Sequence, residues 1–261
     1  MALEFRLPMI GVQMYTLRRL AMPLEEKLQN VALTGYQGVE LFGPLEPPAD
    51  ELYPLLARFH LRAVSAHVAL DLLESDLGRV ADYHAALNND ALVVPWLPQE
   101  QRPTDAAGWR ALGERLDKIG ERLQERNMRL FYHNHDFELQ RFDGRTGLEL
   151  LLDSADPANL KAEFDLAWIV RGGGDPLELL DKYAGRCQRV HVKDIAPQGE
   201  TAESGWADVG HGAIHWMRVL PALDRAGAEW IIVEHDDPAD PLRSIRRSYE
   251  YLAGGGRASA A

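Results

Sequence analysis

The chain of 261 residues carries 40 acidic side chains against 28 Lys and Arg, a net charge of −12. That balance excludes broad electrostatic binding to nucleic acid, and no apolar run approaches the roughly 20 residues that a membrane-spanning helix needs. Hydrophobic residues make up 46%, enough to fill one large core and too many for a disordered chain.

Residues 9–14 read as a short buried strand, and 23–33 as an amphipathic helix with Leu24, Leu28 and Val31 on its apolar face. Gly35 marks the end of that helix, and 38–42 is the second strand. A helix over 49–59 and a strand over 62–68 follow. The stretch 76–88 is helical, and 91–96 is an apolar strand stopped by Pro95 and Pro98. Thr104 then caps a long helix, 105–126, that ends at Asn127. Strand 128–133 leads to a shorter helix through 148–153. Strand 160–165 precedes a helix over 177–184 that Pro176 opens as a first-turn proline. Strand 188–193, helix 214–226, strand 230–234 and helix 241–252 complete the series.

Eight strand–helix units with no dividing linker predict an α/β protein with a single (β/α)8 TIM barrel over 1–253. The Gly/Ala/Ser-rich tail 254–261 is expected to fray. An open doubly wound sheet is the alternative, disfavoured because the count is eight and no dinucleotide glycine fingerprint follows the first strand. Residues 1–8 lack the long apolar core of a secretory signal, and Cys187 has no partner for an intrachain disulfide. The natural reading is a cytoplasmic protein in which Cys187 is an ordinary semi-buried thiol.

Four polar clusters close apolar strands: His133-Asn134-His135-Asp136, Asp165, His191-Val192-Lys193-Asp194 and Glu234-His235-Asp236. In a barrel of parallel strands their side chains converge at the carboxyl-terminal mouth. Imidazoles and carboxylates gathered there suit one divalent metal ion such as Mn²⁺, Co²⁺, Zn²⁺ or Mg²⁺. Asp165 alone reads as a helix cap and His191 alone as a packed histidine; the company of the other clusters makes ligands of both. Glu234 follows three apolar residues, where an unpaired carboxylate would be costly. On the fifth strand His133 and His135 share one side of an extended chain, so either could ligate, and Glu138 is a third choice if the chain curls back. His133 is favoured, with His135 facing substrate or ordering the ligands, and Trp168 could wall the site. The run Gly172-Gly173-Gly174 reads as a flexible turn before a helix and not as a phosphate cradle, which leaves phosphorylation of the substrate open.

Several motifs taken in order carry a family resemblance. Gly11-Val12-Gln13-Met14-Tyr15-Thr16-Leu17-Arg18 opens the series. Gly35-Tyr36-Gln37-Gly38-Val39-Glu40 and Ser65-Ala66-His67 follow, then Tyr132-His133-Asn134-His135-Asp136-Phe137-Glu138. Phe164-Asp165-Leu166-Ala167-Trp168, His191-Val192-Lys193-Asp194 and Val233-Glu234 complete it. Nearly the whole chain resembles the xylose isomerase-like TIM-barrel superfamily, the sugar phosphate isomerase/epimerase group. The resemblance implies one divalent metal held by His133, Asp165, His191 and Glu234. It also implies Glu40, His67 and Lys193 at the substrate.

The activity so implied is isomerisation or epimerisation of a sugar, keto-sugar or sugar phosphate through a metal-stabilised enediolate. Glu234 would be the base, and His135 or Glu138 would return the proton. In ketose epimerases of the superfamily the fifth-strand ligand is a glutamate that works opposite the eighth-strand glutamate. Here it is His133, which puts symmetric two-carboxylate epimerisation in doubt and makes a lyase of the inosose dehydratase or 3-keto-glycoside eliminating type the alternative. The expected partner is a small carbohydrate, with no nucleic acid and no membrane, and a homo-oligomer is compatible with the sequence.

Overall fold

The computed structural model of the protein describes residues 6–255, and within them eight parallel strands close into a barrel. These are β1 (Met9–Gln13), β2 (Gly38–Phe42), β3 (Arg62–His67) and β4 (Ala91–Val94), then β5 (Arg129–His133), β6 (Leu160–Asp165), β7 (Arg189–Val192) and β8 (Trp230–Val233). Each strand pairs with its chain neighbours, and β1 pairs with both β2 and β8, so the ring has no open edge. Residues 256–261, most of the expected tail, lie outside the described residues.

The helices α1 (Leu24–Thr34), α2 (Ala49–Arg58), α3 (Leu70–Ala86), α4 (Ala106–Gln124) and α5 (Gly147–Leu152) lie between the first six strands. After β6 come α6 (Leu166–Arg171), α7 (Pro176–Lys182), α8 (Trp216–Ala226) and α9 (Pro241–Ala253). One continuous apolar core joins the outer face of the strands to these helices. None of the described helices is long and apolar enough to cross a membrane.

Three local differences from the expected elements have physical causes. Helix α3 begins at Leu70, and its backbone breaks at Asp76 (φ −148°, ψ 48°), so the expected start at 76 marks only its second half. Asp105, not Thr104, caps α4: its backbone is extended and its Oδ1 accepts the Gly108 N–H at 2.7 Å. Helix α6 was not foreseen; the Asp165 carboxylate accepts the Trp168 N–H at 2.9 Å and turns the chain straight from strand to helix. Cys187 is fully buried, and burial pushes its thiol up to about 12, so it remains an inert core group.

Side chains alternate in and out along each strand, and the inward set determines what the barrel holds. Towards the amino-terminal end Val64, Trp230 and Ile232 pack together inside the ring, with Met9 against them. Gly38 leaves room for this plug, since a Cβ there would collide with Val64 and press on the Trp230 ring. The β2–β3 pairing shifts register between Val39 and Glu40. Beyond that shift Ser65 and His67 reach Glu40 on the interior face, so β3 contributes polar groups to the mouth after an apolar one to the floor.

Candidate metal centre

The last inward residue of each late strand meets the others above this plug. His133 ends β5, Asp165 ends β6, His191 lies on β7, and Glu234 directly follows β8. All four are buried, and one donor atom from each lies within 4.8 Å of the other three. Donors bound to one ion at about 2.1 Å are at most about 4.2 Å apart, so the group is close to the spacing a divalent cation imposes. Asp165 Oδ2 is buried and makes no well-aligned hydrogen bond, its nearest cation being the Lys193 ammonium at 3.1 Å. Buried polar atoms in that state are rare, and a ligand to one of them removes the penalty. The chemistry of two imidazoles and two carboxylates fits a divalent ion of the Zn²⁺ or Mn²⁺ kind.

A second layer lies one strand step deeper. Glu163 precedes Asp165 by two residues on β6 and therefore points to the same side. His191 directs Nδ1 to Glu234 (3.1 Å) and Nε2 to Glu40 (2.6 Å). His133 directs Nε2 towards Asp165 (3.9 Å) and Nδ1 towards Glu163 (3.3 Å). Each imidazole thus faces an outer donor with one nitrogen and a deeper carboxylate with the other, the arrangement that orients metal-bound histidines. His67 Nε2 lies between the two deep carboxylates, 2.9 Å from Glu40 and 3.0 Å from Glu163. Gln13 and Ser65 donate to Glu40 at 2.6 and 2.5 Å. The deep set of His67, His133, Glu163 and His191 also meets the spacing of a cation site, but it shares both imidazoles with the outer one.

Electrostatics separate the roles. Burial alone would raise the Glu234 carboxyl, but Lys193, His191 and His67 hold it well below the usual range and therefore ionised. Burial likewise opposes charge on His67, yet Glu40 and Glu163 push it up to about 9. Burial, aided by Lys193, pushes His135 down to about 3, so its ring is neutral at physiological pH. Burial, reinforced by Glu40, pushes Glu163 up to about 7.

A cavity of about 1010 Å³ opens over this centre, and His67, His133, His135, Trp168 and Glu234 line it. The other expected residues do not. Glu40 is fully buried beneath His191 and is in contact with it and His67 rather than with the cavity. Lys193 is fully buried and paired with Asp165 (3.1 Å), Glu234 (2.9 Å) and Asp236 (2.8 Å), so it neutralises carboxylates instead of facing a substrate. Glu138 lies on the far side of β5. The short turn Phe137–Leu139 folds it back towards the outward-facing Tyr132, whose hydroxyl donates to it at 2.8 Å, while the His135 N–H donates to its other oxygen at 2.8 Å. It therefore reaches neither the donors nor the cavity. Sequence reasoning missed Glu163; a second carboxylate two places before Asp165, on the same face of the strand, was the available signal. Arg171, Trp206 and Asp236 also line the cavity; Arg171 ends α6 and the other two lie in the segments after β7 and β8, where no barrel-strand period points to them.

The sequence profile of the xylose isomerase-like TIM barrel family matches residues 28–254. An inosose dehydratase of Lacticaseibacillus casei is 26% identical over 267 residues, which cover 87% of this chain and 88% of that one. A sugar phosphate isomerase/epimerase from Parabacteroides distasonis ATCC 8503 superposes with a TM-score of 0.79 at 21% identity, over 97% of this chain and 95% of that one. The IolI protein, solved with a bound zinc atom, gives a TM-score of 0.75 at 14% identity over 95% and 98%. Both structural likenesses, at such identity, speak for the fold alone.

Proposed function

The chain belongs to the xylose isomerase-like TIM-barrel family, and from that premise we propose a divalent-metal lyase of the dehydratase type. It would remove a proton beside the carbonyl of a small carbohydrate and expel a neighbouring hydroxyl group. One observation carries this reading: of the four donors only one carboxylate, Glu234, opens on the cavity, while an imidazole ends β5 and Glu138 is turned away. Symmetric epimerisation asks for two exchangeable bases; elimination works with one base and one acid in fixed roles.

A divalent ion held by His133, Asp165, His191 and Glu234 would polarise the carbonyl and offset the charge that develops as the proton leaves. Glu234 is ionised and can accept that proton. His67, protonated between Glu40 and Glu163, is the cationic group of the floor that can give one to the departing hydroxyl. Trp168 lies 4.8 Å from the His135 ring, centre to centre, and with it forms an apolar wall beside the reacting carbons. The likeness to inosose dehydratase supports the same class. The isomerase or epimerase reading keeps one specific support, the neutral imidazole of His135, a second base in the same cavity.

The test is incubation of the metal-loaded protein in deuterium oxide with ketoses, inososes, 3-keto-glycosides and sugar phosphates. Elimination gives a product lighter by one water. Deuterium on a substrate carbon without that mass loss would favour the isomerase, and neither mass loss nor deuterium uptake with any of them would sink both readings.

A further inference from the structure

Barrels that bind phosphate esters commonly do so in the loops after the seventh and eighth strands, on backbone N–H groups near a helix start. Here the chain's own acceptors take those donors. Asp194, buried just past β7, accepts the N–H groups of Gly210 (3.0 Å), Gly212 (3.2 Å) and Ile214 (3.0 Å). It also accepts the N–H of Ile195 (2.9 Å) and the indole N–H of Trp216 (2.7 Å), the first residue of α8. Gly212 has no alternative there, since a Cβ would overlap the Asp194 carboxylate and the Ile195 carbonyl. After β8 the His235 N–H goes to Thr16 Oγ1 (3.1 Å) and the Asp237 N–H to His235 Nδ1 (3.2 Å). The start of α9 is capped by Asp240, which accepts the Arg243 N–H at 3.1 Å.

The cations in and beneath the cavity are engaged as well. Lys193 serves three carboxylates, Arg19 pairs with Asp237, and Arg18 donates to the Asp236 carbonyl at 2.5 Å. Arg171 lies over the Trp206 ring, 3.4 Å from its centre, and donates to the Ser204 carbonyl at 3.1 Å. Around the lining, four carboxylates (Asp71, Glu234, Asp236, Asp237) face three guanidinium groups (Arg18, Arg19, Arg171). A phosphate dianion would find those backbone donors taken and would gain a guanidinium only by displacing an existing partner.

What the cavity offers in excess is flat apolar surface. Its 1010 Å³ is at the top of the range of about 300–1,000 Å³ that small-molecule sites occupy, more room than one sugar ring needs. Trp168 and Trp206 meet edge to face in one wall, with centres 4.7 Å apart. Tyr15 and Phe42 form a second such pair at 5.3 Å, with the Arg18 guanidinium over one face of Tyr15 at 3.7 Å. Tyr15, Phe42 and Trp96 are three of the seven large hydrophobics that the described chain leaves exposed, and all three line this one cavity. Apolar surface gathered in this way marks a binding face.

We infer that the substrate is an uncharged two-ring glycoside whose second ring rests on Tyr15, Phe42 and Trp96, and not a sugar phosphate. The inference rests on the carbohydrate reading given above. Tryptophan fluorescence of the zinc-loaded protein, titrated with glucose, glucose 6-phosphate, cellobiose and phenyl β-glucoside, tests it. The two-ring probes should bind about tenfold more tightly than glucose, a difference of about 1.4 kcal/mol, and the phosphate no more tightly than glucose. Trp96→Ala, at an exposed position that folding does not need, should reduce the preference for two rings to less than about threefold. Tighter binding of glucose 6-phosphate than of glucose, equal binding of one and two rings, no binding of any sugar, or an undiminished preference in Trp96→Ala would each overturn it. If the wild type takes up no zinc, the metal reading fails instead; the same titration still reads ring preference, because the exposed aromatics are not among the donors.

Discussion

Charged side chains enter the barrel at both ends, and the two ends treat them in opposite ways. At the amino-terminal end Arg189 donates to the Val64 carbonyl at 3.0 Å and to Glu229 at 2.7 Å, and Arg129 bridges Glu229 and Asp90. Glu229 and Asp90 are about half exposed, so the buried guanidinium reaches partners that stay solvated. At the carboxyl-terminal end Glu40, Glu163, Asp165, His133 and His191 are all shut away from water, and several of their polar atoms make no well-aligned hydrogen bond. The lower end is a structural clamp over an apolar plug, its guanidinium charges paired although Arg129 Nε makes no hydrogen bond. The upper end keeps buried charge that protein groups alone do not fully pair, and such an arrangement is sustained where something else binds.

The largest contrast should come from removing one charge at each end and measuring the same two properties. Asp165→Ala should remove nearly all bound metal and all turnover, more than the about 10–100-fold that loss of an outer partner of a ligand costs. It should lower the stability of the apoprotein by only about 1 kcal/mol, the cost of the lost α6 cap, because Lys193 keeps Glu234 and Asp236 and a carboxyl raised by burial is removed. Metal analysis after dialysis, beside urea unfolding of the apoprotein, checks both. Full metal content in Asp165→Ala would remove it from the ligand set.

Glu234→Gln sharpens the distinction inside the upper end. The amide keeps shape and one oxygen donor but cannot accept the substrate proton. Turnover should fall by about 10²–10⁴, with a smaller loss of metal affinity. Undiminished solvent deuterium exchange in this variant would transfer the base role to His135.

At the lower end Arg189→Ala should do the reverse. It strands the Val64 carbonyl and leaves a void beside Phe131, whose ring centre lies 5.9 Å from the guanidinium carbon. Breaking a buried pair by removing one partner costs about 3–5 kcal/mol, and the solvated Glu229 puts this case near the lower figure. Metal content per folded molecule should match wild type. A variant as stable as wild type would show that the clamp contributes little.

The same contrast explains what was legible in the sequence. Asp165, His191 and Glu234 stood out because each closes an apolar run, and in extended chain a period of two assigns sides reliably. The eight units were legible for the same reason, since the periodicity switches cleanly between strands and helices. Legibility failed where the chain leaves that period. At the β2–β3 register shift Val64 turns inward as well as Ser65, which alternation forbids. In the turn after β5, spacing alone could not tell whether Glu138 curls over the mouth or behind the strand. Lys193 was assigned to substrate because its neighbours in space, Asp165 and Asp236, are remote in sequence. The order Asp165, Glu163 down one strand face was present in the letters, but ligands were sought only where strands end, and Glu163 lies two residues before that end.

The smallest effect concerns that turn and decides the remaining question about β5. Glu138 is fully buried, and burial pushes its carboxyl up to about 8 against the opposing hydrogen bond from Tyr132. Its folded value thus lies above the ordinary 4.5, so the native state holds this proton more tightly than the unfolded chain. The sign follows: the protonated group favours folding at low pH, and that contribution is lost as pH rises from about 4.5 through about 8. Glutamine mimics the protonated acid, with an amide N–H in place of the carboxyl O–H, and the Tyr132 hydroxyl can accept as well as donate. Glu138→Gln should therefore keep its metal, differ from wild type by less than about 1 kcal/mol at pH 5, and gain on wild type as pH rises. Urea unfolding at several pH values, with metal analysis at each, reads both properties. Metal lost from Glu138→Gln but kept in His133→Glu would make Glu138 the fifth-strand ligand and would require the turn to open towards the mouth.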